Sequence, residues 1–183
     1  MQYLQIEEKR GQKQMEFNEE KSNDKEYVFS KVKEKGSFLD LASKELKDDK
    51  EIVMAAIEQD GNALEFASKR LKGDKEVVMA SVKKVGWTVC YASDELRADK
   101  EILLNGVKIN GQELYYASEE LRDDFDVVLE AVSNKGLILK YASKRLRGNK
   151  EIVMAAIKND KRAKEYITNE ELKEDEEIKS LLS

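Results

Sequence analysis

The side chains nearest to a general acid–base arrangement are two pairs of adjacent aspartates, Asp48-Asp49 and Asp123-Asp124. One carboxyl of such a pair would have to hold a proton while the other stays ionised, which needs both to face one pocket. Neighbours in sequence rarely do so, and an aspartate, or Asn149 in one copy, recurs at the same place in the units of the chain described below. Helix capping explains every copy and catalysis explains none. The chain has no histidine and a single cysteine, Cys90. That removes the commonest general base, every histidine-based triad and any paired-cysteine metal or redox site. No Gly-rich phosphate loop, zinc-protease helix motif or calcium loop is present. No cofactor is expected, and the chain reads as a non-enzyme.

Two basic columns could follow a phosphate backbone. Lys47, Lys72, Arg97, Arg122, Arg147 and Lys173 form one, with Lys72, Arg97, Arg122 and Arg147 as its candidate phosphate contacts; Lys25, Lys50, Lys75, Lys100 and Lys150 form the other. Beside them runs an acidic column, Glu51, Glu76, Glu101, Asp126 and Glu151, and the formal net charge is −5. Lys69-Arg70 also gives way to Asp94-Glu95 and Glu119-Glu120, which interrupts a positive stripe. Mutually paired, solvated charge is the better reading of these columns, and nucleic-acid binding the alternative. The aromatic column Phe66, Tyr91, Tyr116, Tyr141 and Tyr166 could stack bases, but it reads first as packing between repeats with the hydroxyls at the rim.

Positions at which otherwise similar copies disagree say more about recognition, because scaffold columns repeat and recognition positions are free to differ. Just after a recurring glycine stand Ser37, Asn62, Trp87, Gln112, Leu137 and Arg162; three residues further stand Asp40, Glu65, Cys90, Tyr115, Lys140 and Glu165. Charged occupants in some copies indicate that these columns reach solvent. Trp87, Tyr115, Leu137 and Ile109, with Ile138, would then form an apolar patch suited to anchoring a protein partner.

What must position these residues is a repeat. Ala-Ser recurs at Ala42, Ala67, Ala92, Ala117 and Ala142, always 25 residues apart, and Leu46, Asp49 and Gly36 head columns with the same step. Within one unit, Asp49 caps a helix, Ile52, Val53, Ala56 and Ile57 give it a buried stripe, and Gly61 is expected as a left-handed stop. Leu64, Ala67 and Leu71 suggest a second helix directly after the glycine, either bent or cut short and followed by a 3₁₀-like turn, since Ser68 is poorly suited to a helix interior. The first helix is apolar on a further face, through Phe29, Met54, Met79, Leu104, Leu129 and Met154, so it is expected to be wedged between neighbours. One such unit cannot bury these faces alone, whereas stacked copies can. The prediction is an all-α, right-handed α-solenoid of about six 25-residue helical-hairpin repeats with atypical ends.

The expected organisation is an N-terminal cap or arm over 1–23, a repeat array over 24–168 and an acidic C-terminal capping helix over 169–183. With 183 residues and 40% hydrophobic content the chain can form a core. No stretch is long and apolar enough to cross a bilayer, and residues 1–10 lack the pattern of a signal peptide, so a soluble, cytoplasmic protein is expected.

The pattern L-x-x-A-S-x-x-L-[RK]-x-D-x-[ED]-[IV]-[VL], as in residues 114–128 and, with Asn149 at the aspartate, residues 139–153, resembles the domain of unknown function 4116 family. The resemblance covers about residues 24 to 160 and implies tandem helical repeats. It brings no assigned activity, and no functional residue is carried over from it. The reading that remains is a helical-repeat module, a scaffold or an inhibitor, whose surface binds another protein.

Overall fold

The computed structural model describes residues 17–183, so residues 1–16 of the expected N-terminal arm lie outside the described residues. Each repeat starts with a long helix: α1 (Lys25–Glu34), α2 (Lys50–Gln59), α3 (Lys75–Val85), α4 (Lys100–Ile109), α5 (Phe125–Asn134), α6 (Lys150–Asn159) and a truncated α7 (Glu176–Leu182). No strand occurs among the described residues. The described residues form two compact units, which divide between Lys84 and Val85. In the first, α2 packs on α1; in the second, α5 packs on α4, α6 on α5 and α7 on α6.

The aspartate column caps these helices as its spacing predicts. Asp49 accepts from the N–H groups of Glu51 and Ile52, Asp99 from those of Glu101 and Ile102, and Asp124 from that of Val127, while Asn149 serves Ile152. The cores are columns. Ile52, Ile102, Val127 and Ile152 are fully buried, as are the residues that follow each of them, Val53, Leu103, Val128 and Val153. Each such side chain contributes about 1.5–3 kcal/mol of burial free energy.

The second half of the repeat differs from the expected hairpin. After α2 the chain takes one extended residue, Asp60, then a six-residue 3₁₀ segment, Gly61–Phe66, then extended Ala67, and then a single α-turn, Lys69–Lys72. The 3₁₀ piece therefore precedes the α-turn. The reason is Ser68, which stands between them as an N-cap and accepts from the Leu71 N–H at 3.2 Å. Ser43, Ser93, Ser118 and Ser143 cap the residue three positions on in the same way. The serine N–H adds a bond between repeats: Ser68 donates to the Lys47 carbonyl and Ser143 to the Arg122 carbonyl, each at 2.9 Å. Ala-Ser is thus a small buried residue followed by a cap that also joins neighbouring repeats.

The glycine column is corrected as well. Among the described residues Gly86 alone has positive φ, at 71°. Gly36, Gly111 and Gly136 are glycines because the next repeat's helix passes so close that a Cβ would overlap the carbonyl oxygens of Ala56, Ala131 and Ala156 respectively. Lys161 replaces the glycine in the last copy, where α7 is cut short, and its Nζ reaches the Leu182 carbonyl at 3.4 Å.

The array extends further back than residue 24. Asn18 caps a 3₁₀ turn, Glu19–Lys21, and the Ser22 carbonyl accepts from Ser43 N–H at 2.8 Å, as Lys47 does from Ser68. Phe17 and Asn18 therefore stand where later repeats have Ala and Ser. Phe17 is buried against Tyr27 and Phe38, with ring centroids 5.3 and 5.8 Å apart. At the other end, residues 169–183 form two pieces, an α-turn Glu170–Lys173 and the Asp175-capped α7.

Candidate interaction surface

Among the described residues the exposed large hydrophobic side chains are Trp87 (55% exposed), Ile109 (49%), Tyr115 (50%) and Tyr116 (41%), all in the second unit. Trp87 owes its place to a local irregularity. α3 runs one residue longer than its relatives, Gly86 turns the chain in the left-handed region, and Trp87 opens a five-residue 3₁₀ segment, Trp87–Tyr91. Ile109 ends α4 against this turn, its Cβ 2.5 Å from where a Gly86 Cβ would stand. The two following copies carry asparagine in that column. Asn134 and Asn159 accept from the Gly111 and Gly136 N–H groups at 3.1 and 2.6 Å, and donate to the carbonyls of Lys108 and Ser133. Ile109 exchanges that polar clamp for an exposed apolar end.

Tyr115 packs edge-on against both Tyr116 and Tyr141, with 4.9 Å between centroids in each pair, and Lys140 lies over the Tyr141 ring at 4.7 Å. Tyr115 and Tyr116 line an open groove of about 670 Å³ with Asp94, Arg97, Ser118 and Arg122. Burial raises the Tyr116 phenol pKa, assisted by nearby Cys90 and Glu113, so the hydroxyl is a neutral donor and acceptor. Of the other expected patch residues, Leu137 is half-buried, and Ile138 is removed from the patch because it is only 4% exposed, turned inward on the 3₁₀ segment Gly136–Tyr141. The aromatic column lies on the 3₁₀ segments rather than on a second helix, and Tyr116 is its exposed member.

The basic columns act within the scaffold. Lys72 Nζ donates to the Glu65 carbonyl at 2.7 Å and Arg122 Nη2 to the Tyr115 carbonyl at 2.8 Å, so this column closes the end of the preceding 3₁₀ segment. Arg97 pairs with Asp94. Arg147 is half-buried, and its Nε, like that of Arg122, is enclosed without a hydrogen-bond partner. In the other column Lys25, Lys50, Lys100 and Lys150 each bridge two carboxylates of the next repeat: Lys25 to Asp49 and Glu51, Lys50 to Asp74 and Glu76, Lys100 to Asp124 and Asp126, Lys150 to Asp175 and Glu177, at 2.5–2.9 Å. Hydrogen bonds that its ammonium donates to Asp49 and then to Glu51 push the Lys25 pKa up to about 12. The paired aspartates have separate structural tasks. Asp49 caps α2, while Asp48 accepts from Ser68 and Arg70, which hold its carboxyl below the usual range. Neither retains a proton near neutrality for acid catalysis. Among the described residues no three His, Cys, Asp or Glu side chains cluster so as to hold a metal ion.

Two features escaped the sequence reading. The helix column of Phe29, Met54, Met79, Leu104, Leu129 and Met154 is half-exposed rather than wedged between neighbours. It floors one groove in each unit, of about 480 Å³ over Phe29 and Met54 and about 730 Å³ over Leu129 and Met154. Its sequence signal was there, a third apolar face on a helix whose other two apolar faces already fill the core. The second feature is Glu113, buried in the apolar interior, which a sequence pattern disguises as one more polar residue near a turn.

No helix of the described residues is long and apolar enough to cross a membrane. No curated protein and no solved structure matches the chain. Three successive matches to one family, described as Domain of unknown function (DUF4116), cover residues 24–72, 74–122 and 124–173, each spanning two of the 25-residue units. The caps of α2, α4, α5 and α6, the recurring Ala-Ser and the bridges from Lys25, Lys50 and Lys100 fall within the matched residues, and the chain belongs to the DUF4116 family of tandem helical repeats.

Proposed function

We propose that this chain is a non-enzymatic protein-interaction module, a scaffold or inhibitor, that binds its partner through Trp87, Ile109, Tyr115 and Tyr116. The observation that carries this reading is the exposure of these four residues, the exposed large hydrophobic side chains among the described residues, where the others are buried or only partly exposed. Rigid aromatic side chains supply contact area at little entropic cost, which suits them to anchoring a partner. Their backbone is held by repeated caps and inter-repeat bonds, so little ordering is required on association. The same proposal places the protein inside the cell, consistent with a lone cysteine.

Binding of nucleic acid along the basic columns is the less favoured alternative, because those lysines and arginines already bond to carboxylates and carbonyls of the scaffold. The deciding experiment is affinity capture from nuclease-treated lysate of the native cell, comparing wild type with a Trp87→Ala/Tyr115→Ala variant whose circular dichroism is unchanged. A protein lost only with the variant, and rebinding wild type when purified, supports the module reading. Equal recovery on both, or binding that disappears with nuclease, overturns it.

A further inference from the structure

Glu113 stands in a column otherwise occupied by Phe38, Ala63, Thr88, Ile138 and Ala163. It is 2% exposed, the one charged residue type in the buried interior of the described residues. Oε1 accepts from Asn110 Nδ2 at 3.3 Å, and Oε2 is enclosed with no partner. An ionised carboxylate needs more donors than this to be stable away from water. The surroundings accommodate the side chain sterically. Gly106 on α4 replaces the alanines found at 56, 131 and 156, and a Cβ there would come within 2.8 Å of Val89 Cγ2 and 3.4 Å of Glu113 Cγ.

No charged side chain offsets the buried carboxyl from any element packed on it. Its own segment, Gly111–Tyr116, brings the phenols of Tyr115 and Tyr116, and the segment Trp87–Tyr91 brings the Cys90 thiol and Tyr91. On α4, Lys100 is committed to Asp124 and Asp126, and Glu101 and Lys108 are exposed. On α5 the charged residues are Asp126, held by Lys100, and half-exposed Glu130; Lys135 follows it, with its Cβ beside Gly111. The segment Gly136–Tyr141 brings Tyr141 and Lys140, the latter over the Tyr141 ring.

We propose that Glu113 is a proton-operated lock on the repeat that carries the exposed aromatics. Protonated, its carboxyl sits in the core as a neutral hydrogen-bonding group. Ionised, it is driven toward water and loosens the Trp87–Tyr91 segment, on which its own segment Gly111–Tyr116 packs. This holds whether or not Trp87 anchors a partner. Burial supports it by raising the carboxyl pKa from 4.5 to about 7, only partly opposed by Asn110 and Val89. With no histidine in the chain, few other groups titrate there, and comparison with a variant makes the assignment.

The test uses the full chain and its single tryptophan, Trp87, as reporter. Wild-type emission is expected to show one single-proton transition centred near pH 7, absent in Glu113→Gln. In urea titrations the wild-type unfolding constant should rise roughly 30-fold from pH 5.5 to 8.5, the rise expected for a carboxyl that titrates at 4.5 unfolded and about 7 folded, with Glu113→Gln nearly flat. If Glu113→Gln does not fold, Glu113→Ile, which copies Ile138, replaces it. A flat wild-type emission, or an equal transition in the variant, overturns the proposal.

Discussion

Arg145 Nε donates to both carboxylate oxygens of Asp123, at 3.0 and 3.2 Å, and its Nη2 donates to the Asp123 carbonyl at 2.7 Å. Arg70 and Asp48 repeat this geometry in the first unit. Where the first column has Gly73, Ala98 or Gly148 in place of aspartate, the residue 22 positions on is Glu95, Glu120 or Glu170. The charge alternation that breaks the positive stripe is therefore the trace of pairing between successive repeats. A double-mutant cycle of Asp123→Ala and Arg145→Ala in urea is expected to give effects smaller together than the sum of the singles, with the coupling reduced in high salt. Strict additivity would show the pair to be inert.

Gly136→Ala should destabilise the protein by about 1–3 kcal/mol, since its Cβ would meet the Ala156 carbonyl of a packed helix, where backbone must yield. Gly148→Ala is the control. Its nearest neighbour is the Thr168 hydroxyl at 3.3 Å, and Ala98 already occupies the same column, so the change should stay within about 0.5 kcal/mol. Thermal melting of the two variants separates close approach from any general need for glycine.

Asp124→Ala removes the cap from α5 and one acceptor from Lys100, and should cost about 1 kcal/mol in urea unfolding. Asp124→Asn should recover most of the capping part, as Asn149 does for α6.

The low-pH limb of stability follows from the same column. The Asp74 pKa is lowered from 3.8 chiefly by Lys50, and that of Asp175 chiefly by Lys150. At Asp49 and Asp124 burial, which alone would raise the value, is outweighed by Lys25 and Lys100 together with the helix N–H groups. The unfolded state thus takes up protons first. The stability these groups contribute is present above pH 3.8 and lost as pH falls through their lower folded values. Circular dichroism against pH should show an acid transition in this window, displaced upward in Lys100→Met.

Trp87→Ala should alter stability by no more than about 1 kcal/mol, because the ring is more than half exposed. Leu139→Ala, at a wholly buried position, should cost about 2–5 kcal/mol. Chemical denaturation of both tests whether Trp87 is presented at the surface or structural. It also establishes that partner-loss variants remain folded.

The period, the capping aspartates and the buried stripe of each long helix were legible because they rest on local chemistry: a side-chain oxygen three residues from an N–H, and apolar residues at helical spacing. The exposure of Trp87 and Tyr115 was legible too, since charged residues share their columns in other copies. Phe17-Asn18 was not, because it performs the Ala-Ser role with different residue types, and only the Ser43–Ser22 bond shows it.

By itself, then, the sequence determined that the chain is an all-α tandem repeat and where its caps and core columns lie. Tertiary structure decided why most of the described column glycines are glycine, which way Ile138 turns, that the methionine column stays half-exposed, and that Glu113 is buried. Those outcomes depend on how closely the next repeat approaches, a separation set by packing between residues some 20 to 25 positions apart. A pattern read along one chain carries the period of that approach but not its distance.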